Sequence, residues 1–113
     1  MTIVNQDIAA SIASQCKSYV ETTLGEMAFE YTRSDAKDYF PEAYKKVAKA
    51  RDWQGALADE LYNDEDMIKD LAGDKIFDLL SRNALPSDDA TYNAYAKVVA
   101  GYFTHLPGLD LTY

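Results

Sequence analysis

Apolar residues recur every three or four positions along almost the whole chain, and this spacing limits the fold more than any other feature. The most regular stretch lies near the C-terminus and carries Tyr92, Tyr95, Ala96, Val99, Tyr102, Phe103 and Leu106. Residues three and four apart share one face of an α-helix, so this stretch predicts an amphipathic helix. No stretch alternates convincingly between apolar and polar residues, the pattern typical of a strand. We therefore expect an all-α fold, a compact bundle of five to six short helices.

Polar caps, glycines and prolines divide this pattern into separate helices. Four residues have side chains that accept hydrogen bonds from a helix N-terminus, and we assign them as N-caps: Asn5, Ser34, Asp52 and Ser87. Pro41 suits the first turn of a helix, because a proline there loses no intrahelical hydrogen bond. Gly25 is expected to end or loosen the first helix, and Pro107 with Gly108 to end the last one.

The length of 113 residues predicts one domain that spans residues 1–113. Cys16 is the only cysteine, so the chain forms no internal disulfide, and its place in an apolar stripe predicts burial in the core. The start of the chain lacks the basic region and apolar run of a signal peptide. No apolar run reaches the length of a membrane span. These features predict a cytoplasmic protein that has no contact with membranes.

The sequence offers no motif for catalysis, for a cofactor or for a metal. His105 is the only histidine, and with Cys16 it is too little for the usual zinc sites. No glycine-rich phosphate loop and no serine nucleophile motif is present. Two acidic pairs at four-residue spacing, Glu26 with Glu30 and Glu60 with Asp64, leave a magnesium-dependent nucleotide hydrolase open as an alternative.

Aspartates occupy every fourth position in the segment "DMIKDLAGDKIFD". We call these residues, Asp66, Asp70, Asp74 and Asp78, the acidic row. Like charges at this spacing on a helix cost about 0.2–0.5 kcal/mol per pair. Four residues of helix rise about 6 Å, so the row has a spacing and sign that resemble a row of nucleic-acid phosphates. A C-terminal cap at Gly73 would instead divide the segment into two short helices and break the row.

Charge is segregated along the chain, whose net charge is −8. Residues 52–78 hold nine acidic residues and two lysines, whereas residues 33–51 hold six basic and three acidic residues. The negative net charge disfavours direct binding to nucleic acid or to anionic membranes and favours a basic protein surface as the partner. The predicted partner-binding residues are Asp59, Glu60, Tyr62, Asp64, Glu65, Asp66, Asp70, Asp74, Phe77 and Asp78. Tyr62 and Phe77 are predicted to be aromatic anchors of that surface.

The segment "ELYNDEDMIKDLAGDKIFDLL", with the small size and acidity of the chain, resembles the counter-defence proteins of phages and mobile elements. These include anti-CRISPR proteins and Ocr-type anti-restriction proteins that mimic nucleic acid. The resemblance implies a non-enzymatic inhibitor that binds a nucleic-acid-handling complex. Two further alternatives stay open: an immunity protein that neutralises a toxin, and a homodimer in which residues 33–51 pair with residues 52–78 of a second copy.

Overall fold

The computed structural model describes residues 4–112, and these residues form six α-helices and no strand. The helices are α1 (Gln6–Glu30), α2 (Arg33–Tyr39), α3 (Pro41–Val47), α4 (Trp53–Tyr62), α5 (Glu65–Arg82) and α6 (Asp89–Gly101). The all-α prediction and the expected number of helices are confirmed. Helix α1 is longer than predicted, with 25 residues, and α5 has 18 residues.

The contacts divide the chain into two compact units. The first unit comprises Met1–Val20 and Glu65–Tyr113, and the second comprises Glu21–Asp64. The division falls within α1, so this helix contributes residues to both units. The organisation as one domain stays a prediction.

Local capping signals correctly located the start of three helices. The side-chain oxygen of Asn5 accepts hydrogen bonds from the backbone N–H groups of Asp7 (3.0 Å) and Ile8 (3.2 Å) at the start of α1. Asp52 caps α4 in the same way through the N–H of Gly55, at 3.1 Å. Pro41 is the first residue of α3, as its missing N–H group allows.

Predictions for the end of α1 and for the starts of α2 and α6 were wrong. Gly25 does not end α1, because the helix continues to Glu30. Ser34 lies inside α2, and Thr32 is the N-cap, its hydroxyl oxygen accepting a hydrogen bond from the N–H of Asp35 at 3.2 Å. Asp88 rather than Ser87 is the N-cap residue of α6. Neighbouring polar residues can each cap a helix, so the sequence signal alone did not decide between them.

The core of the first unit is formed by α1, α5, α6 and the C-terminal segment. Its largest fully buried side chains are Ile12, Val20, Ile68, Ile76, Leu80, Tyr95, Val99, Phe103 and Leu111. Helix α6 ends at Gly101, earlier than the apolar stripe predicted, yet Phe103 and Leu106 after it are still buried. The buried hydroxyl of Tyr92 donates to the carbonyl oxygen of Leu111 at 3.0 Å, which holds the C-terminal segment against α6.

In the second unit, α3 packs against both α2 and α4. The guanidinium of Arg33 lies 5.0 Å from the centre of the Trp53 ring and donates to the carbonyl oxygen of Ala48 at 2.9 Å and to the Tyr44 hydroxyl at 3.3 Å. The Tyr44 and Trp53 rings meet edge to face at 5.9 Å. We call residues 33–51 the basic segment. Arg33, one cation of this segment, therefore connects three helices of its own unit.

Gly73 does not break α5, which continues from Glu65 to Arg82. A Cβ atom on Gly73 would lie 3.1 Å from the hydroxyl oxygen of Tyr92, so this glycine allows the close approach of α6. Its role is packing between helices and not the C-terminal cap that its sequence context allowed.

The end of α5 has the hydrogen bonds of a Schellman cap. The N–H of Leu85 bonds to the carbonyl of Leu80 at 2.9 Å, and the N–H of Ala84 to that of Ser81 at 3.0 Å. Ala84 adopts a φ of 56°, a left-handed conformation that normally favours glycine. The side chain at this position therefore strains the backbone.

Substitution Ala84→Gly should raise the free energy of unfolding by about 1 kcal/mol, because it removes the strain of a left-handed alanine. The control is Ala10→Gly at an exposed position inside α1, which should lower stability by a similar amount. Urea unfolding followed by circular dichroism measures both. A loss of stability in Ala84→Gly would contradict the assignment of a strained cap.

Substitution Gly25→Ala should raise the free energy of unfolding by about 1 kcal/mol, since alanine is the better helix former and its Cβ would meet no atom within 4 Å. Gly73→Ala should gain less, because the Tyr92 hydroxyl must move to make room. The same urea titration compares the two variants. An equal gain at both positions would show that Tyr92 does not restrict position 73.

Candidate partner-binding surface

The acidic row lies on one unbroken helix, with all four aspartates exposed. The opposite face of α5 is buried through Ile68, Ala72, Ile76, Leu79 and Leu80. Each step of four residues rises about 6 Å and turns about 40° around the helix axis. The row is therefore about 18 Å long and winds through about 120°, so it forms a gently spiralling band of carboxylates.

Asp78, at one end of the row, is paired with cations of its own helix. Its carboxylate accepts a hydrogen bond from Nε of Arg82 at 2.9 Å and lies 3.6 Å from Nζ of Lys75. The hydrogen bond from Arg82 is the main reason why the pKa of Asp78 lies below its usual value. Lys75 also lies 5.1 Å from the centre of the Tyr19 ring. This end of the row is thus partly neutralised within the first unit.

The other three aspartates of the row form no ion pair with any lysine or arginine of residues 4–112. Lys69 is exposed on the same helix and lines a cavity together with Asp70 and Asp74. The carboxylates of Asp66, Asp70 and Asp74 are therefore the part of the row that stays available to a partner.

The predicted anchor Phe77 is half-buried beside this part of the row. Its ring stacks on that of Tyr92 with the centres 4.6 Å apart. The cavity of about 140 Å³ next to it is lined by Lys69, Asp70, Gly73, Asp74, Phe77, Tyr92, Leu111 and Thr112. An aromatic ring and two carboxylates thus line one depression along α5, with the ring supported from the side by α6.

Glu65 is exposed at the first position of α5 in the first unit. The other four predicted residues, Asp59, Glu60, Tyr62 and Asp64, lie in the second unit, at the C-terminal end of α4 or just after it. Asp59 is exposed, and Asp64 follows the end of the helix. The carboxylate of Glu60 lies 3.6 Å from Nζ of Lys46 on α3. One acid of the predicted surface therefore pairs with a lysine of the basic segment in the same unit. The ten predicted residues form two groups, one in each unit, and not one continuous series.

A groove of about 340 Å³ in the second unit contains two of these residues. We call it the α1/α4 groove, and it is lined by Glu21, Leu24, Gly25, Ala58, Asp59 and Tyr62. The Tyr62 hydroxyl donates to the carboxylate of Glu21 at 2.5 Å. Burial raises the pKa of Tyr62 from 10.0 to about 12, and the hydrogen bond to Glu21 and its negative charge act in the same direction.

The sequence did not indicate that Glu21 and Gly25 belong to this surface. Glu21 lies 41 positions before Tyr62, and no local pattern connects them. Gly25 was noticeable in the sequence, since a glycine inside a helical pattern lowers helix stability, but the sequence suggested a helix end there.

Two exposed aromatic residues were not included in the predicted surface. The exposed fractions are 56% for Phe29 and 68% for Tyr39, while the predicted anchors Phe77 and Tyr62 are only half-exposed.

Cys16 is fully buried, as predicted, and burial raises the pKa of its thiol to about 12, with the charge of Lys75 acting in the opposite direction. In the part of the chain that the structure describes, no group of three or more histidine, cysteine, aspartate or glutamate side chains is arranged to hold a metal ion. Among the described helices, none has the length and apolar character needed to cross a bilayer.

Comparisons with protein-family models, with curated proteins and with solved structures found no match for this chain. The arrangement of its own side chains is therefore the basis of any functional assignment.

Substitution Arg82→Gln should raise the pKa of Asp78 towards its ordinary value of 3.8, because the hydrogen bond from Arg82 is the largest cause of the lowering. A lowered pKa in the folded state means that the pair stabilises the fold above pH 3.8 and that this contribution is lost as the pH falls through the folded value. Carboxyl-carbon NMR measures the titration.

Asp88 provides the internal control for this measurement. Its pKa is lowered chiefly by the hydrogen bond from the Thr91 hydroxyl, at 2.6 Å, and this bond is independent of Arg82. The titration of Asp88 should therefore be the same in both proteins. An unchanged Asp78 titration in Arg82→Gln would contradict the ion pair at the end of the row.

Proposed function

We propose that this protein is a non-enzymatic inhibitor that docks its acidic row on a cationic surface of a nucleic-acid-handling protein. The observation that carries the proposal is the unbroken helix α5, on which Asp66, Asp70 and Asp74 are exposed and unpaired among the described residues. A surface of this kind competes with nucleic acid for the same lysines and arginines.

Electrostatics supports this use of the row. Neighbouring carboxylates repel one another on the free helix, and a cationic partner removes that cost when it binds. A channel that binds nucleic acid is lined with lysine and arginine and gains free energy from the release of counterions. Carboxylates about 6 Å apart on a rigid helix occupy such a channel with the right sign of charge. Charge also steers the two proteins together, so association is fast and strongly dependent on salt.

The shape of the surface along α5 supports docking at one defined place rather than a diffuse attraction by the net charge of the chain. The cavity lined by Asp70 and Asp74 is also lined by the half-buried ring of Phe77, which adds an apolar element beside the two carboxylates. Interfaces commonly combine a few aromatic contacts with charged groups around them. We therefore propose that the acidic row and the ring of Phe77 are the part of the first unit that contacts the partner.

The double substitution Asp70→Asn with Asp74→Asn should abolish partner binding while leaving the fold equally or more stable, because repulsion along α5 is relieved. The test immobilises the full chain and captures the partner from the native host at low and raised salt. The captured protein, once identified, is titrated against each variant, and we expect at least about tenfold weaker binding.

The matched control is Asp35→Asn with Asp38→Asn, which removes the same charge from two exposed positions of α2. This control should bind the partner like the unchanged chain, apart from a small loss of long-range attraction. Equal binding by the α5 variant and the unchanged chain would refute the proposal. A toxin among the captured proteins, in place of a complex that acts on foreign nucleic acid, would assign the same surface to an immunity protein.

A further inference from the structure

The α1/α4 groove combines a glycine without a structural role with two carboxylates and an aromatic ring. Gly25 lies inside the 25-residue helix α1, where glycine is less stable than alanine by about 1 kcal/mol. Its backbone does not need a positive φ, and a Cβ atom there would touch nothing within 4 Å. Unlike Gly73, this glycine is not explained by packing within the chain. The absence of a side chain at this position leaves the groove open there.

The walls of the groove have two different characters. Leu24, Gly25 and Ala58 offer small and apolar surface, whereas Asp59 and Glu21 contribute carboxylates. Tyr62 combines the two characters, since its ring is aromatic and its hydroxyl donates a hydrogen bond to the carboxylate of Glu21. Among the residues that the structure describes, no lysine, arginine or histidine lines the groove. An occupant must therefore be long, apolar along its stem and positively charged at its end.

We propose that the α1/α4 groove binds an arginine side chain of the same basic partner. The volume of about 340 Å³ is at the lower end of the range for ligand pockets, which suits one long side chain and not a helix. The aliphatic stem lies along Leu24, Gly25 and Ala58, and the guanidinium meets the carboxylate of Asp59 and the ring of Tyr62. Arginine suits these partners better than lysine, because its planar group both pairs with a carboxylate through two hydrogen bonds and stacks on an aromatic ring.

This inference rests on the proposed function, because the arginine belongs to the partner that the acidic row recruits. It adds a specific anchor to an interaction that is otherwise set by charge. A row of carboxylates attracts any basic surface, whereas a groove selects a particular side chain at a particular place. Asp59 and Tyr62 were expected at the interface, and the groove assigns each of them a role.

The direct test uses acetyl-arginine amide as the probe and follows the backbone amide signals of the full chain by NMR. We expect shifts at residues of the groove, with a dissociation constant on the order of 1 mM. Acetyl-citrulline amide, which has a similar shape but no charge, should cause no shifts there. The corresponding lysine probe, Nα-acetyl-lysine amide with its side-chain amine unmodified, should bind several times more weakly. Absence of shifts with the arginine probe, or equal binding of any two of these probes, would overturn the assignment.

Two variants locate the binding. Asp59→Asn removes an exposed charge and should weaken the arginine probe about tenfold. Gly25→Met fills the groove and should abolish binding. Circular dichroism verifies that each variant is folded, and Asp59→Asn decides the matter if Gly25→Met does not fold. Unchanged binding in Asp59→Asn would refute the groove as the site.

The Asp70→Asn with Asp74→Asn variant separates this inference from the proposed function. It should bind the arginine probe normally, since both substitutions lie in the other unit, while it no longer captures the partner. If the unchanged chain ignores the probe and this variant still loses the partner, the groove assignment fails and the proposed function stands. If the probe binds and the variant still captures the partner, the proposed function fails alone.

Discussion

The burial of one face of α5 is the constraint on which the proposed surface depends. Ile68, Ala72 and Ile76 on this face are completely buried. Burying one isoleucine side chain contributes about 1.5–3 kcal/mol, whereas a pair of like charges at four-residue spacing costs about 0.2–0.5 kcal/mol. The apolar face therefore determines how the helix is oriented, and the repulsion along the opposite face is too small to change it. Because four-residue steps follow the helix face, the aspartates are exposed together.

The surface left for a partner is smaller than the net charge of the chain suggests. Asp78 is held by Arg82 and Lys75, and Glu60 is held by Lys46. Exposed ion pairs of this kind add little stability. Their main effect is to reduce the number of acidic and basic groups of the chain that are available to a partner. The pair with Glu60 also uses Lys46, one of the cations of residues 33–51 that a homodimer of the predicted kind would need. Within the acidic row, Asp66, Asp70 and Asp74 are the residues that form no ion pair among the described residues.

Two kinds of glycine in the helices illustrate how tertiary contacts decide between similar sequence signals. Gly25 and Gly73 both lie in helical patterns, and the sequence allowed either to end a helix. Gly73 instead makes room for the Tyr92 hydroxyl, which in turn holds Leu111. A Cβ atom on Gly25 would meet no atom within 4 Å, and this glycine lines the open α1/α4 groove. The two roles depend on residues that are far away along the chain, so no local pattern could have distinguished them.

The sequence by itself determined the helical class, the starts of α1, α3 and α4, and the four-residue spacing of the aspartates. These features follow from spacing and from capping groups within a few residues of one another, where local physics is sufficient. Only the tertiary structure decided that α5 is unbroken, that α6 ends before the buried Phe103, and that Tyr62 meets Glu21 at the groove. Each of these depends on packing between residues distant in the chain, which overrides local preference because the buried contacts contribute more free energy than a cap or a helix propensity.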